Sequence, residues 1–115
     1  MITEDYVSFE VAQLLKKKGF DERCYKKYNS SGDLFDAKEF TYGPKAPTLQ
    51  MAMKWLREVH NICISVDVKI GGRKYYVCIS STENGLSYCI LENEVWDTFE
   101  DACKESIKYC LENLI

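Results

Sequence analysis

Ile62-Cys63-Ile64-Ser65-Val66-Asp67-Val68-Lys69-Ile70-Gly71-Gly72-Arg73-Lys74-Tyr75-Tyr76-Val77-Cys78-Ile79-Ser80 is the stretch whose reading decides the fold. Ile62, Ile64, Val66, Val68 and Ile70 alternate with Cys63, Ser65, Asp67 and Lys69, the period of a strand with one buried face. Gly71-Gly72 predicts a two-residue primed turn, whose left-handed backbone angles glycine tolerates. That turn places position 70 opposite 73, so that Val68 faces Tyr75, Val66 faces Val77 and Ile64 faces Ile79, apolar against apolar. Asn84-Gly85 repeats the device and predicts Ile79 opposite Ile90 and Ser81 opposite Tyr88. The expectation is an antiparallel three-strand meander over residues 62–91, with Val66 on its buried face.

Helices flank this meander. Ser8-Phe9-Glu10-Val11-Ala12, Thr48-Leu49-Gln50-Met51-Ala52 and Thr98-Phe99-Glu100-Asp101-Ala102 share one order of residues, a hydroxyl cap followed by a first helical turn. The Ser or Thr oxygen accepts a bond from a backbone N–H that has no partner within the helix. A first helix is predicted over 9–18, with Val11, Leu14 and Leu15 on its apolar stripe. Gly19 would end it in a Schellman cap, with Phe20 folding back on Leu15. The second helix, 49–60, places Leu49, Ala52, Met53, Leu56 and His60 on one stripe, with Trp55 and Val59 beside it. The third, 99–114, places Phe99, Cys103, Ile107, Cys110 and Leu114 together.

Residues 24–28 and 34–40 read as a hairpin around Asn29-Ser30-Ser31-Gly32-Asp33, a candidate extension of the main sheet, and 42–47 read as a loop. The whole is a single α+β domain over 1–115, an antiparallel sheet packed with about three helices in the order α-(ββ)-α-βββ-α.

Composition narrows the function classes. The chain has 115 residues, 46% of them hydrophobic and 29% charged, the profile of a domain with one core rather than a disordered segment. Its net charge of −3 argues against phosphate-backbone binding as the main activity. The first twenty residues place acids before the apolar stretch and lysines after it, the reverse of a secretory signal, and no run approaches a bilayer span of about 20 apolar residues. Cytoplasmic residence without membrane attachment is therefore expected, and the six cysteines, which include no C-x-x-C pair, read as reduced thiols.

The predicted register puts Cys63, Cys78 and Cys89 on one outer patch, with the only histidine, His60, just before the first strand. Thiols spaced along a flat sheet do not converge tetrahedrally, so neither a metal nor a cofactor is expected. As a reactive patch, the same residues would make Cys63 a nucleophile with His60 as its base. Tyr76, Lys74 and Leu91 share the outer face, a mixture of aromatic, basic and apolar character that suits a protein contact.

The segment Pro47-Thr48-Leu49-Gln50-Met51-Ala52-Met53-Lys54-Trp55-Leu56-Arg57-Glu58-Val59-His60-Asn61-Ile62, with the opening Val7-Ser8-Phe9-Glu10 and the ending Tyr109-Cys110-Leu111-Glu112-Asn113-Leu114, resembles a group of short proteins from gut bacteria and their prophage-like mobile elements. That resemblance carries no assigned activity; it implies an accessory binding protein rather than a metabolic enzyme. The leading expectation is thus a small protein-binding or accessory module without catalysis, acting on a protein partner or by self-association as a homodimer. A thiol-dependent enzyme is the alternative, and a nucleic-acid-associated accessory protein comes third.

Overall fold

The computed structural model describes residues 2–38, 43–81, 83, 87–88 and 94–115. It is an α+β arrangement of three helices and antiparallel strands: α1 (Phe9–Lys17), β1 (Lys26–Tyr28), β2 (Leu34–Asp36), α2 (Leu49–His60), β3 (Ile62–Val68), β4 (Tyr75–Ser81), β5 (Ser87–Tyr88) and α3 (Phe99–Asn113).

All three helix starts are capped as the sequence indicates. Ser8, Thr48 and Thr98 accept from the backbone N–H of Val11, Met51 and Asp101, at 3.2, 3.2 and 3.0 Å. Helix α1 ends in the predicted Schellman geometry: the Phe20 N–H donates to the Leu15 carbonyl and the Gly19 N–H to that of Lys16, with Gly19 at φ +93°. This turns Phe20 into the core, where its ring meets Trp55 edge-on at 5.3 Å. Helix α2 ends differently. Asn61 adopts the left-handed conformation at φ 59° while its N–H caps the Leu56 carbonyl, and the chain passes straight into β3.

Strands β3 and β4 pair in the predicted register, with Ile64 opposite Ile79, Val66 opposite Val77 and Val68 opposite Tyr75. The turn itself is not a two-residue primed turn. Lys69 and Lys74 close the ladder, the Gly72 N–H donates to the Lys69 carbonyl, and Gly71 alone takes a positive φ, of 80°. A four-residue loop, 70–73, preserves the register because it adds one residue to each side.

The second predicted register is corrected. Ile79 faces Tyr88 and Ser80 faces Ser87, two positions from the expected partners Ile90 and Cys89. A shift of two keeps each side chain on its face, so the alternation of the sequence could not detect it. The remainder of the expected third strand, including Cys89, Ile90 and Leu91, lies outside the described residues.

The predicted N-terminal hairpin forms, in shorter pieces. Lys26–Tyr28 pairs with Leu34–Asp36 as a sheet of its own rather than as an extension of β3 and β4. The Asn29 side-chain oxygen accepts from the N–H groups of Ser31 and Asp33 and shapes the turn. The other edge of β1 is taken by residues 44–46, expected as loop: the Tyr28 and Ala46 N–H groups bond the Pro44 and Lys26 carbonyls. Gly43 must be glycine for this approach, since its φ is +109° and a Cβ would overlap the Tyr28 carbonyl oxygen. The same extended run then bonds residues 5–7, with the Val7 N–H on the Pro47 carbonyl and the Leu49 N–H on that of Asp5.

The core lies between the helices and one face of β3 and β4. Val11, Ala12 and Leu15 of α1, Leu49, Ala52, Met53, Trp55 and Leu56 of α2, and Ala102, Cys103, Ile107, Cys110 and Leu111 of α3 are buried with Ile62, Ile64, Val77 and Ile79. Phe99 and Leu114, expected on the buried stripe of α3, are half-buried at its ends. Burial fades along β3: Ile62 and Ile64 are 6% and 5% exposed, Val66 is half-buried, and Val68 and Ile70 are 58% and 101% exposed. The expectation of one buried face from Ile62 to Ile70 therefore fails at the hairpin tip.

Candidate interaction surface

The hairpin tip and the outer face of β3 and β4 hold most of the residues that the sequence singles out. Tyr76 is exposed on that face, opposite Asp67. Lys74, beside it, makes an ion pair with Asp97 and so is tied to the chain just before α3. Tyr75, on the other face, exchanges two backbone bonds with Trp96, which occupies the β5 side of β4 at this end, and packs edge-on to Phe99. Leu91 and Cys89 lie outside the described residues.

Of the thiol patch, Cys63, Cys78 and His60 lie among the described residues and Cys89 outside them. Cys63 sits half-buried opposite Ser80, and Cys78 half-buried opposite Ser65, as the register predicts. His60 ends α2, one residue before the left-handed Asn61, and its ring stacks edge-on to Trp55 at 4.6 Å. Among the described residues its Nε2 has no hydrogen-bond partner, and no hydrogen bond joins it to Cys63. Burial lowers the His60 pKa below the ordinary histidine value, since the charged ring is the form that loses water. Among the described residues, no group of three or more His, Cys, Asp or Glu side chains could hold a metal ion.

The remaining thiols are placed to pack. Cys103 and Cys110 are fully buried in α3, and burial pushes their pKa values up to about 11 and about 12. Cys24 is half-buried beside Met51, its pKa also raised by burial. It lines a cavity of about 550 Å³ with Arg23, Tyr25, Asp36, Ala37 and Lys38, a rim in which Asp36 is already paired with Lys26.

One feature of the surface escapes the alternation of the sequence. The Lys69 N–H donates to the Lys74 carbonyl at 2.8 Å, which makes that pair a hydrogen-bonded one. By the antiparallel period, Cys63, Ser65 and Asp67 bond inward to β4, while Ile64, Val66 and Val68 turn their N–H and C=O groups outward. Among the described residues no backbone group bonds those outward groups. Among the described residues strand β3 is therefore an edge, and beside it lie the exposed side chains of Val68 and Ile70.

No helix among the described residues is long and apolar enough to cross a membrane. Compared with known proteins, the chain matches no protein family, no curated protein and no solved structure.

Proposed function

We propose that this chain is a small accessory module, of the kind its resemblance to proteins of mobile elements implies, that works in the cytoplasm by binding protein through the open edge of β3. In this reading the sheet is a β3-β4-β5 meander with β3 at its edge, supported by the pairing of Ile79 and Ser80 with Tyr88 and Ser87. The observation that carries it is the juxtaposition at one edge of unbonded backbone groups and bare apolar side chains. An edge of this kind is a template for another strand: main-chain bonds supply affinity and the alternate side chains supply selectivity. Natural domains usually blunt such an edge with proline, a bulge or a covering loop. Here the outward positions are Ile64, Val66 and Val68, none of which blocks pairing. Tyr76 and Lys74 extend the contact on the outer face, and Leu91 is assigned to it on sequence grounds.

Val68→Pro tests this. The Val68 N–H points away from β4, so proline there removes an outward donor without breaking the hairpin. Proteins and untagged copies of the chain captured by the tagged wild type should be lost by Val68→Pro and retained by Val59→Lys, a change on the exposed flank of α2. Equal retention by Val68→Pro would overturn the reading.

A further inference from the structure

Resting on that strand-addition reading, we propose that the β3 edge takes a second copy of this chain, paired antiparallel across a two-fold axis with Val68 opposite Val68 of the second copy. Three symmetric registers bring the exposed end of β3 against itself, centred on Val66, Asp67 or Val68. Centring on Asp67 sets two carboxylates face to face, which is unfavourable for directly opposed residues. Centring on Val66 pairs Asp67 with Ser65 and Cys63 with Lys69, and lays Ile70 of one copy beside the buried Ile62 of the other, at the base of the hairpin where β3 leaves α2.

Centring on Val68 satisfies both faces of the sheet and keeps contact at the tips. On one face Val68 meets Val68, and Ile70, the first residue of the loop, is brought beside Val66 of the other copy, which covers the two side chains that are 58% and 101% exposed in the single chain. On the other face Asp67 stands opposite Lys69 of the second copy, twice by symmetry. Val68 would form a hydrogen-bonded pair, which makes Asp67 and Lys69 a non-hydrogen-bonded pair, the kind whose side chains lie closer.

The single chain leaves these charges in need of one another. Lys69 stands across the hairpin from Lys74, and Asp67 across from Tyr76. Lys74 is neutralised by Asp97, whereas among the described residues neither Asp67 nor Lys69 has an ion-pair partner. A second copy supplies both partners at once, the self-complementarity that a two-fold interface requires.

Sedimentation equilibrium over a wide concentration range, with charge-swap and cysteine variants of the full chain, tests the proposal. The wild type should show a monomer–dimer equilibrium. Asp67→Lys alone should weaken it by about tenfold, because two attractive pairs become repulsive, and Asp67→Lys combined with Lys69→Asp should restore it. Under mild oxidation Val68→Cys should give a disulfide-linked dimer mapped to position 68 on both chains. The Cα separation in such a pair is about 5.5 Å, within the range a disulfide spans. Preferential linkage in Val66→Cys or Asp67→Cys would overturn the register, and a dimer indifferent to the charge swap would overturn the edge as its site. A chain that stays monomeric at every concentration, yet loses captured proteins on Val68→Pro, would overturn the second copy while leaving strand addition standing. Loss of neither would overturn both.

Discussion

Successive alanine substitutions along one face of β3 should give a graded loss of stability that reports where the core ends. Ile64 is 5% exposed and faces Ile79, which is 1% exposed, so Ile64→Ala leaves a cavity between sheet and helices and should cost about 3 kcal/mol. Val66 is half-buried, and removing its two methyl groups should cost about 1 kcal/mol. Val68→Ala, at a site 58% exposed, should cost about 0.5 kcal/mol, and Ile70→Ala close to nothing. Against a total stability on the order of 5–15 kcal/mol, only the first change is large, and it should lower the Tm by roughly 10–15 °C. Urea unfolding followed by tryptophan fluorescence would measure the series, with an unchanged slope as the sign that only stability has moved. Low protein concentration keeps self-association from adding to the result at Val68. If Val68→Ala and Ile64→Ala cost the same under those conditions, the tip is packed and the gradient of burial is wrong. Val66→Asp should be damaging but less so than the same change at Ile64, while Asp67→Ala should be mild.

Two further outcomes follow from burial of titratable groups. The folded state holds the His60 pKa below its unfolded value, so the unfolded chain binds the proton first and stability should fall as pH drops from about 6.5 toward the lowered folded value; His60→Leu should flatten that part of a stability–pH curve, and an unchanged curve would refute the assignment. For Cys103 and Cys110 the sign is opposite, because their folded pKa values are raised to about 11 and about 12. Stability should be complete below the unfolded value of about 9 and decline as pH rises through 9 toward 12, and iodoacetamide at pH 8 should label both thiols only after denaturation.

Much of the fold was legible because its determinants are local. The hydroxyl caps at Ser8, Thr48 and Thr98 and the Gly19 stop act within four residues, and each sits where the sequence places it. The β3 and β4 register was legible for a different reason: apolar residues on both strands share one parity, and a short loop leaves few alternatives. That same parity argument is blind to a slip of two, which is why Ile79 meets Tyr88 instead of Ile90. Residues 44–46 were read as loop because Gly43 and Pro44 punctuate them, yet they bond β1, and residues 47–49 that follow bond residues 5–7, both distant in sequence. No local signal specifies a pairing of that kind.

The candidate surface was legible only in its side chains. Alternation tells which residues share a face but gives the same pattern for a strand that is covered throughout and for one that outruns its helices. It predicted burial to Ile70, whereas burial ends near Val66. Nor does alternation distinguish an inner strand from an edge. Strand order decides that, and among the described residues β3 pairs with β4 alone; the Lys69 and Lys74 pair then sets which groups are left over, odd-numbered residues of β3 bonding to β4 and even-numbered ones facing outward. The even-numbered residues are also the apolar ones. Among the described residues, the direction of unbonded backbone groups and the exposure of an apolar side chain thus coincide on Val68. A chain under pressure only to fold would gain from a charge or a proline at Val68, since neither would disturb the core and either would guard the edge. Valine at that position leaves the edge competent to pair, and that is the argument for reading it as an interface.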